Sequence, residues 1–295
     1  MNAPREKRNG QREHPSRAEP AAYFSNPMMS DIESDWSPMH DAAYNGRVLS
    51  VRTLIGQGTS VNLLSLDRVS PLHGACQQGH TACVKLLIDH GANVNTPTID
   101  MITPLSEACA RGHLSCVKLL LQQGATPHGA AVSTSPIHQA AAKGHTECIE
   151  ALVQHGADVD LWSDHSGTPL YSACTNQHLS TVARLLQLGA SVNSGKDGDT
   201  PLHVAARLSQ PELVRVLLDH GANPATRNTE GKRPLDLAPP NSATQSLLSQ
   251  RGGVSCLMQL CRLTIRAVLG KTGLSEINGL SIPTELKGYL LYQSD

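Results

Sequence analysis

A pattern of apolar and polar residues repeats along this chain of 295 residues every 32 or 33 positions. Six of seven units begin with Ser or Thr, then Pro, an apolar residue, two variable residues and Ala followed by Ala or Cys. The prolines stand at positions 38, 71, 104, 136, 169, 201 and 234, so the successive spacings are 33, 33, 32, 33, 32 and 33 residues. An interval kept so closely over seven units indicates an array of one structural repeat.

The composition of each unit predicts two short helices. Ser or Thr before the proline is a typical helix N-cap, and proline fits the first helical position because no N–H is needed there. A turn at Gly79 or its equivalents separates this helix from a second one. In the second unit, that helix carries the apolar residues Val84, Leu86, Leu87 and Ile88. Gly91 follows it, where a left-handed residue commonly ends a helix.

The heads of the units match a known repeat. SPLHGAC at Ser70 and TPLHVAA at Thr200 fit the T-P-L-H-x-A pattern of ankyrin repeats. Residues 35–250 therefore resemble an ankyrin-repeat array. The resemblance implies an all-α solenoid of six full repeats and a degenerate terminal one, in which neighbouring repeats bury each other's apolar faces. The seventh unit is degenerate because Arg233 replaces the capping residue and Pro239-Pro240 follow soon after.

Cysteine and histidine fall at fixed positions of the repeat, which favours packing over chemistry. Cys76, Cys109 and Cys174 stand where other units have alanine, and free cysteine packs as a small hydrophobe. The histidines two residues after the prolines are expected to form structural hydrogen bonds. The sequence has no C-x-x-C, P-loop, H-E-x-x-H or G-x-S-x-G motif, so we expect no catalytic residues, no metal and no cofactor.

Charge and composition exclude further classes of partner. A formal net charge of -1 gives no electrostatic reason to expect nucleic acid or an anionic membrane as partner. No apolar run approaches the roughly 18 residues of a membrane span, and the first twenty residues lack the apolar region of a signal peptide. These observations favour the cytoplasm, with the nucleus as the alternative.

A different apolar pattern begins after Gly252-Gly253, where the period ends. Five residues spaced by three, one, four and three positions form one helical stripe: Leu257, Leu260, Cys261, Ile265 and Val268. Gly270 is a natural stop, and two short apolar segments follow, so residues 254–292 are predicted to form three short helices. So small a unit does not bury enough surface to be stable alone. It either caps the last repeat or offers its stripe to another protein.

This segment resembles a SOCS box. Leu257-x-x-x-Cys261-x-x-x-Ile265 is similar to the elongin-binding box, which implies binding to elongin C, with elongin B, through Leu257, Leu260, Cys261 and Ile265. The following residues are similar to the cullin-5 box, which implies a surface for cullin-5 and its RING subunit formed by Leu280, Ile282, Pro283, Leu286, Tyr289 and Leu290. Ser281 replaces the first proline of that box, which leaves cullin-2 as an alternative.

The whole chain thus resembles the ankyrin-repeat and SOCS-box protein family. The resemblance implies a non-catalytic adaptor of a cullin–RING ubiquitin ligase, which holds a target protein for ubiquitination and proteasomal degradation. The opening, SNPMMSDIESDWSPMHDAA, is similar to that of the creatine-kinase-binding member, so creatine kinase is the target that the resemblance implies. The alternative is a plain ankyrin scaffold whose C-terminal helices only cap the array.

Apolar residues at unusual places suggest where a target binds. We expect the loops and first helices of the early and middle repeats to hold a folded protein. Residues 1–34 form an N-terminal tail, disordered or ordered by a partner, in which residues 21–35 help to clamp the target. The predicted target-binding residues are Trp162, Tyr44, Leu66, Met101, Phe24 and Met28. Asp41, Glu107, Arg111 and Lys143 are expected on the concave side of the array.

Overall fold

The computed structural model describes residues 35–251 and 257–291. Residues 36–251 form seven pairs of helices, each pair one repeat. The first helices are α1 Pro38–Tyr44, α3 Pro71–Gln78, α5 Pro104–Arg111, α7 Pro136–Lys143, α9 Pro169–Thr175, α11 Pro201–Arg207 and α13 Pro234–Leu237. The second helices are α2 Val48–Gly56, α4 Thr81–Asp89, α6 Leu114–Gln122, α8 Thr146–Gln154, α10 Leu179–Gln187, α12 Pro211–Asp219 and α14 Ala243–Arg251. The expected all-α repeat architecture is confirmed.

The starts of the first helices show why the Ser/Thr-Pro pair recurs. The hydroxyl oxygen of Thr103 accepts a hydrogen bond from the backbone N–H of Ser106 at 3.2 Å, and Thr168 accepts one from Tyr171 at the same distance. Such a bond satisfies one of the helix's orphan donors. Ser135 is an exception, since its side chain makes no capping bond.

The first and second helices contribute alike to the core, with fully buried residues such as Leu72 and Leu105 on first helices and Leu120 on a second helix. In α4, the buried residues are Cys83, Val84 and Leu87, whereas Leu86 and Ile88 are only partly buried and flank the core. Fully burying one such side chain stabilises the fold by about 1.5–3 kcal/mol. The core cluster continues through all seven repeats, from Met39 to Leu248, so each repeat is completed by its neighbour.

The cysteines of the repeats are packing residues, as the register predicts. Cys76, Cys109 and Cys174 are fully buried. Burial raises the pKa of the Cys76 and Cys109 thiols well above its usual value, and that of Cys148 to about 11. These thiols therefore stay protonated and unreactive at neutral pH. Cys261, by contrast, is exposed.

The last repeat departs from the others, as its sequence predicts. Helix α13 has a single turn of four residues. In place of a Ser or Thr hydroxyl, the Asp236 carboxylate accepts hydrogen bonds from the Arg233 backbone N–H at 2.9 Å and from its guanidinium at 3.0 and 3.2 Å. This arrangement ends the array with charged groups that face water.

The segment after the array is helical. Helix α15, Leu257–Glu276, is broken at Gly270, whose φ of 63° and ψ of -172° are not helical. A 3₁₀ turn, Ile277–Gly279, and helix α16, Thr284–Leu291, follow. Ile277, Leu290 and Leu291 form a small separate core with Leu269 and Ile282 against it. Among the described residues, no helix combines the length and apolar character that a membrane crossing requires.

Candidate functional site: two binding surfaces

The first surface lies on α15. Cys261 and Ile265 are exposed one turn apart, and Val268, one further turn along, is 82% exposed. The side chains of Leu257 and Leu260 lie outside the described residues, although both positions belong to the helix. Apolar side chains aligned on one face and open to water indicate a surface for another protein. The predicted stripe of five residues requires one continuous helix, and the helix is unbroken from Leu257 to Leu269.

The second part of this surface lies around α16. Leu280, Pro283 and Leu286 are exposed, and Ile282 and Tyr289 are partly buried. Leu290 is only 3% exposed and packs in the small core with Ile277. Because its side chain faces inward, Leu290 supports the helix and is not available for direct contact in this structure. Sequence spacing alone did not separate Leu290 from Leu286, which is on the outer side.

Tyr289 is held by a neighbouring helix. The guanidinium of Arg262 lies 3.6 Å from the centre of the Tyr289 ring, a stacking arrangement that stabilises by about 0.5–2 kcal/mol. This contact joins α15 to α16. It covers one face of the ring.

The second surface is formed by the loops between repeats. Leu66 is 72% exposed, Met101 is exposed with a positive φ of 61°, and Trp162 is 54% exposed. The Trp162 indole N–H donates to the Gly195 carbonyl of the next loop at 3.3 Å. This bond orients the ring, and more than half of it still faces water. Fixed aromatic side chains of this kind are enriched at interface hot spots.

A polar pocket of about 310 Å³ lies between the first helices of the second, third and fourth repeats. Its lining residues are Gln77, Ile102, Ser106, Glu107, Ala110, Arg111, Thr134, Gln139 and Lys143. Burial raises the pKa of the Glu107 carboxyl, and the nearby Arg111 partly offsets that effect. The expected concave-side residues Glu107, Arg111 and Lys143 thus lie in one pocket. Gln77 and Gln139 were missed, although their positions six and three residues after a proline signal this face.

The remaining predicted target residues are spread along the chain. Tyr44 is partly buried beside Gly74, and the Trp36 ring meets it edge-on with 6.1 Å between ring centres. Asp41, nearby, is ion-paired with Arg47 at 2.8 Å. Phe24 and Met28 lie outside the described residues. The structure therefore brings Glu107, Arg111 and Lys143 into one pocket, with Met101 beside it through the bond from Thr134 to its carbonyl, and it does not join Tyr44 to Trp162.

The histidines connect successive repeats. His73 Nε2–H donates to the Ile102 carbonyl at 3.1 Å, and the equivalent His203 donates to the Lys232 carbonyl at the same distance. Ser106 replaces histidine in the third repeat and donates to the Thr134 carbonyl at 2.8 Å. The expected structural role is confirmed for these histidines. The His113 ring packs against Gly79, so closely that a Cβ added at Gly79 would lie 2.5 Å from the ring.

These features define a class of protein: an ankyrin-repeat array joined to a small helical box. Family models agree with this division. Models of ankyrin repeats match residues 39–131, 126–196 and 197–229, and a SOCS box model matches residues 253–291. The crystal structure of the human ASB11 ankyrin repeat domain superposes with a TM-score of 0.70 at 47% identity, over 75% of this chain and all of that one.

Full-length relatives have the same arrangement. The chain is 53% identical over 283 residues to mouse Ankyrin repeat and SOCS box protein 9, covering 96% of this chain and 98% of the relative. It is 58% identical over 269 residues to the human protein of that name, covering 91% and 92%. The chain belongs to the ankyrin repeat and SOCS box family. This family is generally non-catalytic, and its SOCS box implies the role of a substrate adaptor in an E3 ubiquitin ligase.

Proposed function

We propose that this chain is the substrate-recognition adaptor of an elongin B/C–cullin-5–RING E3 ubiquitin ligase. The repeats hold a target protein, and the SOCS box binds elongin C and the cullin. The target is thereby tethered near the ubiquitin donor, ubiquitinated and degraded by the proteasome, in the cytoplasm or the nucleus. The observation that carries this proposal is a SOCS box match over residues 253–291 in which α15 exposes Cys261, Ile265 and Val268.

The elongin C surface is the stripe from Leu257 to Ile265. Leu257 and Leu260 are aliphatic anchors in the first turn, and Cys261 and Ile265 continue along the same face. Cys261 is a small exposed side chain, which suits close approach of a partner. Apolar surface removed from water contributes about 25 cal/mol per Å², so binding of elongin C recovers what the free box leaves exposed.

The cullin surface follows the 3₁₀ turn. We assign it to Leu280, Ile282, Pro283, Leu286 and Tyr289, with Leu290 as internal support for α16. Ser281 is exposed and lacks the fixed φ that proline would give at this position. Cullin-5 is the partner that family resemblance favours, and capture of cullin-5 or cullin-2 by the elongin-bound chain decides between them.

The target surface is formed by the loop tips and the polar pocket. Leu66, Met101 and Trp162 offer apolar contacts, and the pocket around Glu107 offers hydrogen-bonding groups beside them. An apolar centre with polar groups that fix orientation is common in protein interfaces. We extend this site to Tyr44 and to Phe24 and Met28 of the N-terminal tail, and creatine kinase is the target to test.

Substitutions in the box test the ligase role. Leu257→Ala should weaken capture by purified elongins B and C by about 2–4 kcal/mol, the usual cost of truncating a central anchor. Cys261→Phe should also abolish capture, since a ring does not fit a closely packed site. Leu49→Ala is the matched control, because Leu49 is an equally apolar, exposed residue on α2. Thermal unfolding of the repeats should be unchanged in all three variants.

Elongin capture of Leu257→Ala at the level of wild type would contradict the adaptor function. The chain would then be a plain ankyrin scaffold whose box only caps the array. The target arm is separate: Trp162→Ala and deletion of residues 1–35 should each weaken creatine kinase capture and leave elongin capture intact. If both variants held the target as firmly as wild type does, the site would lie elsewhere on the repeats.

A further inference from the structure

Arg266 connects the box to the repeats. Its Nη2 donates to the Leu186 carbonyl of α10, 80 residues earlier in the chain, at 2.8 Å. Its Nη1 donates to the Leu290 carbonyl of α16 at 2.7 Å. The Arg266 guanidinium, which belongs to α15 of the box, therefore joins that helix to the fifth repeat and to α16 through one hydrogen bond each.

Both acceptors are at the C-terminal ends of helices. Leu186 is the last residue but one of α10, and Leu290 is the last but one of α16. Carbonyls in a helix's last turn have no partner within the helix and carry the negative end of its dipole. The Leu186 carbonyl also accepts the backbone N–H of Gly189, just after the helix, at 3.2 Å. A guanidinium has fixed, forked donors and a permanent charge, so it is suited to joining two such ends.

A third helix end lies close by. His220 follows α12 as its C-cap residue. Burial, chiefly, lowers the pKa of His220 to about 4, and the charges of Arg266 and Arg262 contribute. Arg266 thus meets the end of α10 through a hydrogen bond and acts on the end of α12 through its charge.

This contact leaves the partner surface open. At 3.6 residues per turn, Arg262 and Arg266 lie roughly 110° around α15 from Cys261, Ile265 and Val268. The side of the helix held by the array is thus distinct from the exposed stripe. Elongin binding and docking on the repeats do not compete for the same side chains.

We propose that Arg266 is a positioning residue that sets the direction of the SOCS box relative to the ankyrin repeats. Its contacts with α10 and α16 determine which lysines, on the array itself and on a target that it holds, face the ubiquitin donor. The inference rests on the proposed ligase function. It goes beyond it in assigning orientation to one side chain that touches neither elongin nor target.

The test replaces Arg266 with Met, which keeps the length of the side chain and removes the donors. Full-length chain in complex with elongins B and C, cullin-5 and its RING subunit is given E1, E2 and ubiquitin. The sites modified on the array, including the exposed Lys85, Lys118 and Lys143, are quantified by mass spectrometry. Arg266→Met should change the relative use of these lysines by roughly threefold or more, since tethering geometry sets the local concentration.

Controls separate orientation from folding. Elongin capture by Arg266→Met should stay within about twofold of wild type, because the exposed stripe is untouched. Arg266→Lys, which keeps the charge but loses the fork, should give an intermediate lysine pattern. Arg215→Met on α12 removes a half-exposed arginine that has no role in the proposal, and it should match wild type.

Two results would overturn the assignment. One is an unchanged lysine pattern in Arg266→Met. The other is loss of elongin capture in both Arg266 variants, which would mean that the residue only folds the box. A wild-type chain that fails to capture elongins would refute the ligase function instead. In that case, hydrogen exchange at residues 188–190, after α10, still decides whether Arg266 holds the array: exchange should be faster in Arg266→Met than in Arg215→Met, and equal exchange would reject the contact.

Discussion

The ankyrin repeats and the SOCS box differ in what covers their apolar residues. Each repeat has one apolar face and covers it with the next repeat, so that the core runs unbroken from Met39 to Leu248. The box has a small core around Ile277 and Leu290 and leaves Ile265, Val268, Leu280 and Leu286 exposed. The array is completed from within the chain. The box, by our proposal, is completed by another protein.

The two regions differ in how much burial of apolar side chains stabilises the free chain. A repeat that gains a neighbour buries several aliphatic side chains, at about 1.5–3 kcal/mol each. A segment of about 40 residues does not have enough interior for that. Its exposed stripe is therefore unfavourable in the free chain but becomes favourable in a complex. Truncating an apolar residue should therefore lower the stability of the fold in the repeats, whereas in the box it should weaken binding of the partner.

Truncating one apolar residue in each region should give the largest contrast. Leu120 of α6 is fully buried, so Leu120→Ala should lower the free energy of unfolding by about 2–5 kcal/mol. Ile265→Ala should change it by less than about 0.5 kcal/mol, as is usual at exposed positions, but should weaken elongin capture. Urea unfolding and elongin pull-down of both variants measure this. Similar losses of stability would show that the stripe is packed in the free chain.

The repeat register predicts the array well because each unit is determined locally. Ser/Thr-Pro starts the first helix, Gly91 and its equivalents end the second one with φ near 85°, and the spacing alone places the cysteines in the core. Predictions made seven times from one pattern support each other. They fail where a single unit departs, as at Ser135, whose hydroxyl and the Nδ1 of His138 are buried without a hydrogen-bond partner among the described residues.

The box is less predictable since it occurs once. Helical spacing predicts the α15 stripe and the break at Gly270. It does not distinguish Leu290 from Leu286, because the side of α16 that faces inward is decided by the break and the turn before it. The bond from Arg266 to Leu186 spans 80 positions and depends on how two units meet. No local pattern contains that information.

Acid should loosen the array more than the box. Burial lowers the pKa of His73 to about 4, and that of His138 also falls. In the unfolded chain, histidine titrates near 6.5. Between these values the unfolded state binds more protons, so the stability of the fold decreases as pH falls from about 6.5 towards 4. For His73 alone, the loss between pH 7 and 5.5 is about 1 kcal/mol. Residues 254–292 contain no histidine.

The measurement is thermal unfolding of the array and elongin capture, each at pH 7 and pH 5.5. In the third repeat the equivalent residue is Ser106, which donates across the equivalent junction. His73→Ser is therefore a matched variant. It should reduce the pH dependence by the share that His73 contributes, even if it lowers stability overall, and the remainder comes from His138 and His220, whose pKa values burial also lowers. A pH dependence as steep as that of wild type would rule out His73 as its source.

Equivalent positions in neighbouring repeats indicate which substitution should stabilise the array. The box allows no such comparison because it occurs once. Asn62 Nδ2 donates to the Gly91 carbonyl at 2.9 Å, and Asn95 donates to the Gly124 carbonyl at 3.1 Å. Each bond joins one repeat to the end of the next repeat's second helix. His128 has the equivalent position in the sequence and is exposed. Within residues 35–251, its ring makes no hydrogen bond of this kind.

His128→Asn should therefore restore the missing bond, with the Gly156 carbonyl as acceptor. The expected gain is small, about 0.5–1 kcal/mol, because the bond is on the surface and replaces bonds to water. Asn95→His is the reverse change in the preceding repeat and should cost a similar amount. The two variants together, compared by urea midpoint, test whether the junctions obey one rule. If Asn95→His destabilised the array but His128→Asn gained nothing, the irregular loop before Ser135 would hold the third and fourth repeats in a different register, and the likeness among the repeats would end at that junction.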